Sequence, residues 1–72
     1  METYINLGGN SGVKSYEIGA DYIDVLFYGN SRIYRYSYKR AGEKHVEQMK
    51  LLAIRGSGLN SYIMKYVKFL YD

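Results

Sequence analysis

Cations and phenols alternate along Arg32-Ile33-Tyr34-Arg35-Tyr36-Ser37-Tyr38-Lys39-Arg40, and Lys44 follows soon after. Lysine and arginine neutralise phosphates, the main source of nonspecific nucleic-acid affinity. Aromatic faces beside them hold unstacked bases. From Arg32 to Lys44 the chain carries five cations (Arg32, Arg35, Lys39, Arg40, Lys44) and one acid, Glu43, whereas Glu17 to Asp24 carries three acids and no cation. One side of the fold should therefore be basic. Tyr62, Lys65, Tyr66 and Lys68 form a second, sparser mixture of the same kind.

Groups for catalysis are few. His45 is the single histidine, and no cysteine is present to join it in a metal site or a nucleophilic triad. Flanked by Glu43, Lys44 and Glu47, it reads as a solvated helix-surface residue. Glu17, Asp21 and Asp24 could in principle share acid–base work, but their spacing suits a solvated turn with pairing to Arg35 or Lys14. Gly8-Gly9 and Gly56-Ser57-Gly58 lack the lysine and hydroxyl that end a phosphate-cradling loop. The expectation is a protein that is not an enzyme and needs no cofactor or metal.

The elements that must position these side chains can be placed. Asn6 to Gly12 is a breaker cluster, so residues 1–12 read as a flexible leader and 13–72 as one small domain. Val13–Ile18 is a first strand, Gly19-Ala20-Asp21 a turn, Tyr22–Tyr28 a stronger strand, and Gly29-Asn30 a tight hairpin turn before a third strand, Arg32–Tyr38. If Gly29-Asn30 is the whole loop, Val25 faces Tyr34 and Ile23 faces Tyr36 on the core side. Leu26 then faces Ile33, and Asp24 faces Arg35, on the outer side. An opposite-charge cross-strand pair of that kind contributes about 0.2–1 kcal/mol.

After Arg40 the spacing becomes helical. Val46, Met49, Leu52 and Ala53 share one face, with Glu43, Lys44, Glu47 and Lys50 opposite, and Arg55 then Gly56 mark the end. Asn60 is the expected cap of a second helix with Ile63, Val67 and Leu70 inward. Strands followed by helices predict an α+β domain: a three-stranded antiparallel sheet with two helices packed on one face. In that register Tyr34 and Tyr36 turn inward, while Tyr28 and Tyr38 are freer to meet a partner.

Seventy-two residues make one domain with a thin stability margin. Without cysteine, packing or association must supply the stability. Ten tyrosines and no tryptophan imply an amphipathic core with wet edges. The +3 formal charge is mildly basic, so clustering matters more than the total. No apolar run approaches membrane-spanning length, and Met1-Glu2-Thr3-Tyr4 opens without a signal-peptide pattern, which predicts a cytoplasmic protein with no membrane partner.

In order and spacing these residues resemble the KTSC domain, a short module named for its place at the C-terminus of some lysyl-tRNA synthetases and also found as stand-alone bacterial proteins. Its Tyr-x-Tyr mark is matched by Tyr34-Arg35-Tyr36, and its preceding apolar strand by Ile23-Asp24-Val25-Leu26-Phe27. Its later break and Asn-x-x-Ile segment are matched by Gly56 and Leu59-Asn60-Ser61-Tyr62-Ile63, and its Ser-x-Ile-x-Ser opening by Ser11-Gly12-Val13-Lys14-Ser15. The family's Val-Pro after the tyrosine motif is absent, and Leu59 stands where an aromatic is usual. The resemblance spans roughly residues 11–66. It implies RNA, tRNA-like in kind, as a partner met through a basic patch, and adds nothing towards catalysis. The expected contact residues are Arg32, Tyr38, Lys39, Arg40 and Lys44, with Tyr38 offering a stacking face. The alternative is a protein-interaction or homodimerisation module using an exposed sheet edge or the Leu26–Ile33 face.

Overall fold

Alternation of β-branched and aromatic residues gives way to helical spacing after Arg40, and the backbone follows that change. The computed structural model describes residues 1–9 and 11–72; Asn10, inside the glycine-rich cluster, lies outside the described residues. The elements run β1 (Glu2–Thr3), β2 (Val13–Ile18), β3 (Tyr22–Phe27), β4 (Ile33–Ser37), α1 (Glu43–Arg55) and α2 (Leu59–Tyr62), which continues into a π-helical turn at Ile63–Val67. The strands form one antiparallel meander in the order β1-β2-β3-β4. The α+β class is as expected, but the sheet has four strands rather than three.

The extra strand comes from the segment expected to be a leader. Glu2 pairs with Tyr16 and Thr3 with Ser15, and the Tyr4 N–H donates to the Lys14 carbonyl at 3.0 Å. Tyr4 is then 3% exposed, and its hydroxyl accepts the Leu59 N–H at 3.3 Å. Leu7 N–H reaches the Gly56 carbonyl at 2.7 Å. A two-residue strand is too short to show alternation, so the glycine-rich stretch after it dominates the sequence pattern.

The β3–β4 register is the expected one: Ile23 with Tyr36, Asp24 with Arg35, Val25 with Tyr34, Leu26 with Ile33. The loop is wider than the expected two-residue turn. Tyr28 N–H is taken by the Gly12 carbonyl at 2.8 Å, and the Asn30 side chain accepts the Arg32 N–H at 2.8 Å in an Asx turn. Pairing therefore stops at Leu26 and Ile33, and Phe27 pairs across to Val13 instead.

Beneath the sheet, Val13, Ile23, Val25 and Tyr36 pack against Val46, Met49 and Ala53 of α1 and against Leu59, Ile63 and Val67. Each such aliphatic side chain contributes about 1.5–3 kcal/mol by leaving water. The buried face of α1 is the expected set, Val46, Met49, Leu52 and Ala53. Gly56 closes the helix at φ 81°, its N–H on the Leu52 carbonyl. Asn60 is not the cap of α2. Gly58, at φ 85°, precedes the helix, and the Tyr4 hydroxyl takes the Leu59 N–H from the core side. At the other end Asp72 N–H donates to the Arg35 carbonyl at 2.7 Å, laying the last residues along the outer edge of β4. Among the described residues no helix is long and apolar enough to cross a membrane.

Candidate nucleic-acid interface

The five expected contact residues fall into two groups. Arg32 precedes β4, while Tyr38, Lys39 and Arg40 follow it on a turn that leads into α1, whose first turn carries Lys44. A five-residue strand holds these ends about 17 Å apart. The Asp72 carboxylate lies between them, accepting from Ser37 Oγ at 2.7 Å. Arg32, Lys39, Arg40 and Lys44 are all exposed, but they do not form one strip.

Tyr38 is braced rather than open. Its hydroxyl donates to Glu47 at 2.5 Å, Lys50 Nζ holds the same carboxylate at 2.8 Å, and that ammonium stands 5.4 Å from the Tyr38 ring centre. The bond to Glu47, and then burial, push the Tyr38 phenol up to about 12. Lys50 first, and Tyr38 second, hold the Glu47 carboxyl below its ordinary value. The ring ties the end of β4 to α1.

Arg35 is engaged outward, as its register requires. Its guanidinium grips Asp24 through two bonds, at 2.8 and 3.0 Å, and stacks 3.9 Å from the Tyr22 ring centre. These three side chains occupy the middle of the outer sheet face. Ile33 is exposed beside them, while Leu26 is half-buried.

A cluster joins residues far apart in sequence at the Arg32 end. Phe27, Tyr28, Tyr34 and Tyr36 from the hairpin, with Met64, Lys68, Phe69 and Tyr71 from the C-terminal segment, line a cavity of about 410 Å³. Its walls meet edge to face: Phe27 on Tyr34 at 5.6 Å, Tyr34 on Tyr71 at 4.9 Å, Tyr36 on Tyr71 at 6.4 Å. Arg32 lies over two of these rings, 4.8 Å from the centre of Tyr34 and 5.1 Å from Tyr71. Lys68 stands 5.4 Å from the Phe69 ring centre. Tyr28 and Phe69 present open faces, 60% and 71% exposed. Burial pushes the Tyr36 phenol up to about 12, with Tyr34 and Tyr71 adding to it. A cavity of this size falls within the range of small-ligand sites. Planar aromatic groups fit its walls, and anionic groups fit the two cations at its rim.

The chain matches no family model, no curated protein and no solved structure.

Sequence reasoning found Arg32, and Lys68 as part of the second mixture, but not their convergence with Phe69 and Tyr71. The available signal was the aromatic density of the last residues, Tyr66, Phe69 and Tyr71, beyond what a two-turn helix needs for its core. His45 is also placed differently from expectation. It is half-buried, with Nδ1 2.7 Å from the Tyr62 hydroxyl and its ring stacked against Tyr66 at 5.9 Å. Burial, then Tyr66, raise the Tyr62 phenol above its ordinary value. Among the described residues no three histidines, aspartates or glutamates come together as metal ligands.

Proposed function

We propose that the protein is a non-catalytic RNA-binding module that accepts unpaired nucleotides at the aromatic cavity. Bases stack on the open faces of Tyr28 and Phe69, while phosphates meet Arg32, which Tyr34 and Tyr71 hold in place, and Lys68. The observation that carries this is Arg32 lying across Tyr34 and Tyr71, which joins a phosphate-sized charge to two base-sized rings at one cavity. Stacking of this kind is worth about 1–3 kcal/mol per base and tolerates any sequence. Lys39, Arg40 and Lys44, at the far end of β4, extend the electrostatic track for a longer strand. The resemblance to the KTSC domain, with its synthetase company, supports RNA as the partner.

Duplex bases are already stacked and cannot enter such a cavity, so single-stranded or looped RNA is preferred. Fluorescence anisotropy with a labelled single-stranded RNA, a tRNA and a duplex tests this. Binding should be tightest at low ionic strength, fall steeply with added salt, and weaken at least ~10-fold in Arg32→Ala/Lys68→Ala. No binding of any of these RNAs at low salt, or an unchanged affinity in that variant, would overturn the proposal.

A further inference from the structure

The C-terminal helical segment carries a second aromatic and cationic cluster that the cavity does not use. His45 Nδ1 lies 2.7 Å from the Tyr62 hydroxyl, which fixes the imidazole against α2. Its ring stacks on Tyr66, with centres 5.9 Å apart and planes 27° apart, and Tyr62 packs on the same ring at 4.7 Å. Tyr66 is still 49% exposed. Lys65 Nζ stands 5.3 Å from its ring centre, on an exposed stem. Glu47, the acid two residues from His45, is turned away onto Tyr38 and Lys50. A ring already braced by an imidazole and a phenol loses little freedom when a base is laid on it.

The same segment forms a wall of the cavity. Met64 and Lys68 line it, whereas Tyr62 and Tyr66 meet His45 of α1. Lys65 is three residues from Lys68, one helical turn away on the same surface. Lys65, Tyr66 and Lys68 are all exposed, so the way over the helix is open. It ends beside Lys44, the residue before His45 on α1. We infer that Tyr66 and Lys65 form a second nucleotide subsite. A single strand with one base in the cavity crosses the segment at Lys68 and Lys65 and lays a later base on Tyr66. That base displaces the Lys65 stem from the ring, and the ammonium meets a phosphate. The inference rests on the RNA reading and makes its ligand an unpaired strand of several nucleotides rather than a lone one. It also joins over the helix the two cation groups that β4 holds apart.

His45 is the single histidine, so its ring protons give NMR signals that report on this subsite alone. The test adds a single-stranded oligouridylate of about ten nucleotides to the full chain, within the span that one small domain covers. Anisotropy of the labelled strand measures binding in parallel. The His45 signals should shift as the strand binds. Tyr66→Leu keeps apolar bulk but removes the ring face, and should weaken binding at least ~5-fold. Lys65→Ala should lower the salt slope by about one phosphate contact. Circular dichroism checks that each is folded, and whichever is folded is read. Ile54→Glu, in the shallow aliphatic depression that Met1, Ile18 and Ile54 line by the β1 edge, is the control and should bind like wild type. A strand that binds without moving the His45 signals, or folded variants that bind it like wild type, would overturn the subsite and leave the cavity proposal standing. No binding at low salt would remove both.

Discussion

A single phenol shows how tightly side-chain chemistry is set in this chain. Tyr38 donates to Glu47, and Glu47 is held from the other side by Lys50. The lowered Glu47 carboxyl stabilises the fold fully above its unfolded pKa, about 4.3, and that contribution is lost as pH falls through the folded value. The phenol works at the other end of the scale. Its folded pKa is raised, so its contribution is complete below about 10 and disappears as pH climbs towards about 12. Glu47→Gln removes the charged acceptor. Ultraviolet titration of the phenols should then show one late-titrating tyrosine moving back towards about 10, while Tyr36, raised by burial, stays near 12. Urea unfolding should separate wild type from this variant at pH 7 and bring the two closer as pH falls through the lowered folded value of the carboxyl. If the phenol spectrum does not change, Tyr38 is not held by Glu47 in solution.

At the scale of elements, the end of α1 and the N-terminal segment depend on each other. Gly56 needs its left-handed conformation, and Ile5 sits where its side chain would be. Gly29 has a similar φ, 74°, with open space around it. Ala at either position meets the backbone penalty of about 1–2 kcal/mol, but only Gly56→Ala also displaces Ile5 and the strand behind it. Chemical denaturation should therefore show Gly56→Ala as clearly more damaging than Gly29→Ala; equal losses would mean that the N-terminal segment does not pack on α1. This dependence also marks what the sequence could and could not disclose. Val13–Ile18, the Ile23–Tyr36 register and the buried face of α1 are periodic signals, local to their own elements, and each was legible. The place of Tyr4 was not, because its partners Lys14 and Leu59 lie 10 and 55 residues away and leave no period. Asn60 looked like a cap because its type suits one, yet a tyrosine hydroxyl from β1's end had already taken the donor. The aromatic cavity was hidden for the same reason: Tyr34 and Tyr71 meet only after the whole chain has folded.

The whole molecule is organised by strand order. In the β1-β2-β3-β4 meander, the cavity lies by the β3–β4 hairpin and β4 edge, and the aliphatic face by the β1 edge. A function at one edge need not disturb the other, which is why Ile54→Glu should leave the affinity for a very short RNA unchanged. Four strands have three spacings, so roughly 14 Å of sheet separates β1 from β4. The width of the sheet thus keeps the two surfaces apart, so that a substitution at one serves as a control for the other.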